Sequence, residues 1–161
     1  MNILILGAGQ VGTSLAEALV SEENDITVID QDGARLARLQ DHLDLRTVTG
    51  NAATPSVLRA AGIDNADMLI AVTQSDASNL VACKLAKTVF NVPTRIARLR
   101  SRDFLEDESL LHSDNFAVDF ALCPEQVITD YIRRLIEFPE ALQVLSFAGD
   151  RVSLVALRAY E

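Results

Sequence analysis

Apolar runs and amphipathic stretches alternate from the first residues of the chain. Residues 3–6 form a short apolar run, and over 10–21 the residues Val11, Leu15, Ala18 and Leu19 fall on one helical face. Residues 26–30 predict a second strand, and 33–42 a polar helix that turns Leu36 and Leu39 inward. Residues 45–49 predict a third strand ending at Gly50. Thr54-Pro55 then reads as an N-cap followed by proline at the first helical position, with Gly62 closing that helix. The near-continuous apolar run 68–72 predicts a buried parallel strand, followed by a long helix over 76–90. Residues 94–99 make a fifth strand with Ile96 and Leu99 on one side. A broken acidic helical segment covers 103–111, and 116–122 predict a sixth strand.

Strands separated by helices in this way predict an α/β fold, because each parallel pair needs a crossover. Right-handed crossovers favour a Rossmann, doubly wound sheet of order 3-2-1-4-5-6. After Cys123 the pattern changes. Residues 124–138 read as one amphipathic helix with Val127, Ile128, Ile132, Leu135 and Ile136 apolar, ended by Pro139. Residues 142–148, a turn at Gly149-Asp150 and residues 152–157 predict an antiparallel hairpin. A lone hairpin is marginal in water, so a second domain, cut early, is expected here. The expected division is a doubly wound domain over 1–123, a linking helix over 124–139 and the start of another subdomain over 140–161.

With no Trp and two Tyr, the interior must be filled by Ala, Leu, Val and Ile, as in parallel sheets covered by helices. A net charge of −9 argues against nucleic acid and against anionic lipid surfaces as partners. A single anionic ligand remains compatible, since helix N-termini bind phosphate without side-chain charge. Cys83 and Cys123 form no C-x-x-C pair and read as buried structural thiols. The N-terminus has neither the basic nor the long apolar region of a signal peptide. No apolar run reaches bilayer length. The expected location is cytosolic, with any membrane attachment through a partner.

The strongest chemical signal is Gly7-Ala8-Gly9-Gln10-Val11-Gly12, a G-x-G-x-x-G placed between a strand and a helix. In such a loop the first glycine permits the turn, the second lets backbone approach a pyrophosphate, and the third lets helix and strand pack closely. Asp30 closes the second strand 18 residues after Gly12, near the spacing of a carboxylate that accepts from ribose hydroxyls. That carboxylate would repel a 2′-phosphate, which disfavours NADP; NAD(H) and ATP/ADP share the free hydroxyls and stay open. Asn51 follows the third strand, as a reader of the adenine edge or as a turn residue. Thr73 and Gln74 follow the fourth, near the phosphates or second ribose, with helix capping the competing role for Thr73, Ser75 or Asp76. Arg98 and Arg100 end the fifth, placed to hold phosphate or to pair with surface acids.

Catalytic candidates are few. His42 and His112 sit in polar surroundings, and the chain has no G-x-S-x-G elbow, H-E-x-x-H pair or Walker lysine. Asp103, Glu106, Asp107 and Glu108 read as a solvated face, not a metal cage. An oxidoreductase would need a separate substrate domain supplying an acid/base.

Beyond the glycine loop, the chain resembles the regulator-of-potassium-conductance family, also called RCK, KTN or TrkA-N. The resemblance rests on NILILGAGQVGTSLAEALV, DITVIDQD, GNAATPSVLRAAGIDNADMLIAVT, SDASNLVACKLAK, RIARLR and CPEQVITDYIRRLIEFPEALQV, and runs the whole length. Within the family it is similar to the first half of the nucleotide-binding subunit of Trk-type potassium uptake systems. The resemblance implies ligand contacts at Gly7, Ala8, Gly9, Gln10, Val11, Gly12, Asp30, Asn51, Thr73, Gln74 and Arg98. It also implies a crossover helix from Pro124, homodimers assembling into a ring, and a membrane potassium transporter as partner on the cytoplasmic side. Some relatives carry an arginine in the glycine loop where this chain has Gln10, which keeps NAD(H) level with ATP/ADP. Glu125 matches an acid that helps hold a divalent cation in some members; its other reading is an acid favoured by the helix dipole. The expected function is a regulatory, non-enzymatic subunit that gates potassium uptake. The alternative is the cofactor-binding half of an NAD-dependent oxidoreductase.

Overall fold

The computed structural model describes residues 1–20, 23–138, 141–147 and 151–157. The chain divides into two compact units, Met1–Leu122 and Cys123–Glu161.

In the first unit the strands are β1 (Asn2–Leu6), β2 (Asp25–Asp30), β3 (Arg46–Thr49), β4 (Met68–Ala71), β5 (Thr94–Arg98) and β6 (Phe120–Leu122). Between them run α1 (Gln10–Val20), α2 (Gly33–Gln40), α3 (Pro55–Ala60), α4 (Asp76–Thr88) and the short α5 (Asp103–Glu106). All neighbours pair in parallel, in the order β3-β2-β1-β4-β5-β6. At the centre Ile5 sits between Val28 and Ile70, and Leu6 between Ile29 and Ala71. The order reverses between β1 and β4, which opens a crevice beyond the carboxyl ends of those strands.

The continuous apolar runs have a direct cause. Ile3 and Ile5 enter one core cluster, with Ala16, Leu36 and Leu39, while Leu4 and Leu6 enter the other, with Leu58, Leu69 and Leu80. Side chains alternate across a strand, so a sheet covered on both faces needs an apolar residue at every position.

Several boundaries and faces differ from the sequence expectation. Ile96 packs with the α1–α2 layer and Leu99 with the opposite one, because an odd separation along a strand changes face. On α1 it is Ala16, not Ala18, that is buried. Thr54 occupies the N-cap position of α3 without a side-chain capping bond.

Strand six is confined to Phe120–Leu122. Residues 116–118 turn back instead: the amides of Phe116, Ala117 and Val118 donate to the carbonyls of Leu110, His112 and Leu111, and Ala117 takes φ 57°. The buried Arg95 fixes that path. Its Nε donates to Ala117 O at 2.7 Å, its Nη1 to Val92 O at 2.5 Å and its Nη2 to Asp119 Oδ1 at 2.6 Å. A buried guanidinium so fully hydrogen-bonded is tolerated where an unpaired one would not be.

The second unit holds α6 (Pro124–Glu137) and the antiparallel pair β7 (Ala141–Phe147) and β8 (Val152–Leu157). Val144 faces Val155, and the register shifts between Ala141 and Gln143. The expected helix stop at Pro139 and turn at Gly149-Asp150 lie outside the described residues. No residue of α6 is buried.

Candidate functional site

The carboxyl ends of β1 to β5 surround a cleft of about 520 Å³, within the usual range for small-ligand sites. Of the sequence candidates it brings together Gly7, Gly9, Gln10, Val11, Asp30, Asn51, Thr73, Gln74 and Arg98. Ala8 and Gly12 are buried and do not line it; Ala8 borders a second cleft.

The three loop glycines answer to different demands. Gly7 has φ 106°, and a Cβ there would stand 3.1 Å from the Thr73 backbone. A Cβ on Gly12 would collide with the Gly7 carbonyl oxygen. Both are required by the fold. Gly9 has no positive φ, and a Cβ on it would meet nothing within 4 Å. It faces the cleft immediately before α1, and its carbonyl accepts from Thr13 N at 2.9 Å. The first amides of a helix have no intrahelical partners, and the first turn of α1 carries no acid to neutralise them. They form a ready anion site.

Asp30 is engaged on both carboxylate oxygens: Oδ2 accepts from Ala8 N at 2.6 Å, and Oδ1 from Asp32 N at 2.8 Å. It therefore braces the glycine loop against the end of β2 while lining the cleft. A carboxylate has lone pairs left for further donors such as ribose hydroxyls. Asp32 caps α2, accepting from Ala34 N and Arg35 N, and lies 3.1 Å from Arg35 Nε. Asn51 Oδ1 accepts from Ala53 N at 2.9 Å, so the turn role is present while the residue also lines the cleft. Ser75 is the N-cap of α4, accepting from Ser78 N at 3.2 Å. Asp76 Oδ2 accepts from the amides of Arg100 and Ser101, each at 2.8 Å. Arg98 and Arg100 line the far side of the cleft. It thus offers a carboxylate at the β2 end, backbone amides in the middle and guanidinium groups at the β5 end. That sequence of groups matches ribose hydroxyls followed by phosphates, so a nucleotide fits the residues present.

Sequence reasoning passed over two residues. Arg35 lines this cleft and a second one of about 550 Å³ between α1 and α2, which also takes in Arg38 and His42. Asn79 is fully buried on α4 and bonds to the ends of both β4 and β5. The available signal was an asparagine one turn before Cys83 on an otherwise apolar helix face. Of the expected structural thiols, Cys83 is buried, and burial pushes its pKa up to about 12, with the Arg95 charge opposing and Asp119 adding to the shift. Cys123 is only half-buried. Among the described residues no cluster of His, Cys, Asp or Glu could hold a metal ion, and Glu125 is exposed. No helix among them is long and apolar enough to cross a membrane.

With this geometry in view, the family model described as the TrkA-N domain matches residues 3–117. The chain belongs to the TrkA-N family. It is 55% identical over 161 residues to the Trk system potassium uptake protein TrkA of Vibrio alginolyticus, covering 99% of this chain and 35% of that protein. The TrkA of Halomonas elongata is likewise 55% identical, over 160 residues, with the same coverage. The chain thus spans 35% of the length of these relatives, which are named for potassium uptake and not for an enzymatic reaction.

Among solved structures, the TrkA-N domain of the inner membrane protein ybaL from Escherichia coli superposes with TM-score 0.73 at 22% identity, covering 84% of this chain and 96% of that one. GsuK bound to ADP gives 0.70 at 23%, covering 86% and 34%. The GsuK channel bound to NAD gives 0.64 at 18%, covering 91% and 24%. At these identities the likeness shows the fold alone.

Proposed function

We propose that the cleft binds an adenine nucleotide, NAD(H) or ATP/ADP. On this reading the chain is the nucleotide-sensing part of a regulatory subunit that gates a membrane potassium uptake transporter of the Trk type. Gly9 carries the binding half of this reading. It is a glycine that neither backbone conformation nor packing requires, at the mouth of the cleft and the start of α1. Close approach of a phosphate to the backbone supplies the missing reason. Asp30 would take the adenosine ribose, the first amides of α1 the phosphates, and Arg98 the remaining phosphate charge; Gln74 and Thr73 would border the second half of the ligand. Asn51 would border the adenine. The ADP and NAD carried by neighbours of the same fold are consistent with both ligand classes.

Sensing is favoured over turnover because the relatives are named for potassium uptake and not for a reaction, and the cleft carboxylates of Asp30 and Asp32 are engaged with backbone amides. Gating requires that the ligand bind two conformations unequally, since equal affinity shifts nothing. The potassium assignment follows the names of the relatives. The apolar stripe of α6 would then be covered by a second copy in a homodimer, the unit from which a ring is built. The chain would sit at the cytoplasmic face of the membrane, held there by its transporter.

Calorimetric titration with NADH, NAD, ATP and ADP tests the binding. Asp30→Ala should lose about 1.5–3 kcal/mol, the scale of hydrogen bonds to a charged group. Unchanged affinity for both NADH and ATP in that variant would remove Asp30 from the site.

A further inference from the structure

Asn79 is 0% exposed on α4, beside Leu80, Ala82 and Cys83. Its side-chain amide is used to capacity. Oδ1 accepts from Thr73 N at 3.0 Å and lies 2.7 Å from Thr73 Oγ1, which directs that hydroxyl proton into the protein. Nδ2 donates to Thr73 O at 3.3 Å and to Arg98 O at 2.8 Å. Two acceptor and two donor positions are all that an amide offers. The last registered pair between β4 and β5 is Ala71 with Ala97. Beyond it Asn79 ties the two strand ends together, at the residues that line the cleft. A leucine of similar size would fill the space and leave these backbone groups unsatisfied, so packing alone does not call for asparagine.

We infer that Asn79 is a positioning residue of the nucleotide cleft, locking Thr73 and Arg98 into one wall that sets the part of the ligand beyond its first phosphate. The inference rests on the nucleotide reading above. It separates two parts of the cleft: Asp30 and the glycine loop would take the adenosine and its first phosphate, whereas the Thr73–Arg98 end depends on the bonds of Asn79.

The test compares AMP, ADP and NADH by calorimetry on the wild-type chain and on Asn79→Leu, which keeps the side-chain volume without a new charge and loses the bonds to Thr73 and Arg98. AMP affinity should stay within about twofold, while ADP and NADH weaken by on the order of tenfold, as expected when a buried hydrogen-bond donor is lost. An equal loss for all three ligands, or no loss for ADP and NADH, overturns the inference. Hydrogen exchange on the wild-type chain needs no variant to fold. Saturating ADP should slow exchange at the Thr73 amide and at residues 99–101 together, and protection of only one side overturns the inference as well. A wild-type chain that binds none of the three nucleotides overturns the nucleotide reading itself, and this inference with it; normal wild-type binding with unselective losses overturns the role of Asn79 alone.

Discussion

α4 and α6 are nearly equal in length, 13 and 14 residues, and both repeat apolar side chains at helical spacing. α4 buries Asn79, Leu80, Ala82, Cys83 and Ala86. α6 buries nothing, and Val127 and Ile136 are 67% and 73% exposed. The stronger apolar stripe thus belongs to the helix with no buried residue. An amphipathic pattern reports that a face needs covering and is silent about what covers it. The loop glycines repeat the contrast on a smaller scale. Gly7 and Gly12 are explained by neighbours within the fold, and Gly9 by nothing among the described residues. In both cases the unexplained residue marks where a partner or ligand is expected.

The largest expected effect is on α4. Leu80→Glu places a carboxylate in the first unit's core and should cost on the order of 4–5 kcal/mol or more, enough to unfold that unit. Circular dichroism during urea titration would register it, and a variant as stable as wild type would break the contrast. The matching change on α6, Ile128→Glu with Ile132→Glu, should leave the urea transition of the first unit within about 0.5 kcal/mol and convert a dimer to a monomer by light scattering. A wild-type chain that is already monomeric at micromolar concentration would remove the second copy as the cover for α6.

A smaller effect separates the glycines. Gly12→Ala forces a Cβ against the Gly7 carbonyl and should cost about 1–3 kcal/mol, the scale of overpacking. Gly9→Ala should leave stability within about 0.5 kcal/mol, yet lower ADP and NADH affinity by on the order of tenfold. Thermal melts paired with titrations distinguish them; equal losses of stability would show that Gly9 is also a packing residue.

The smallest effect concerns the two thiols, one on α4 and one immediately before α6. Because the Cys83 pKa is raised to about 12 by burial, its thiolate is scarce at pH 8, and only thiolates react. A thiol reagent should therefore modify Cys123 alone in the native chain and reach Cys83 only on unfolding. Mass spectrometry of the labelled chain would sharpen or blunt the contrast by the site it finds.

Local pattern was enough for the order of elements, the parallel sheet and the glycine loop. Each rests on interactions between near neighbours: alternation along a strand, helical spacing, and the turn that Gly7 permits. Asp30 was legible for the same reason, since its place at the end of β2 follows from the strand alone. Its bond to Ala8 N was not, because the two residues meet only when β1 and β2 pair. Asn79 reads locally as a polar interruption in a helix; its meaning comes from Thr73 and Arg98, which the β4–β5 pairing brings to it. Residues 116–119 look like strand, yet Arg95, more than twenty positions earlier, turns them back through bonds to Ala117 and Asp119. The sequence by itself determined the order of the elements and the place of the glycine loop between β1 and α1. Tertiary structure decided which polar side chains hold those elements in register, because a buried hydrogen bond depends on groups distant in the chain arriving within about 3 Å of each other.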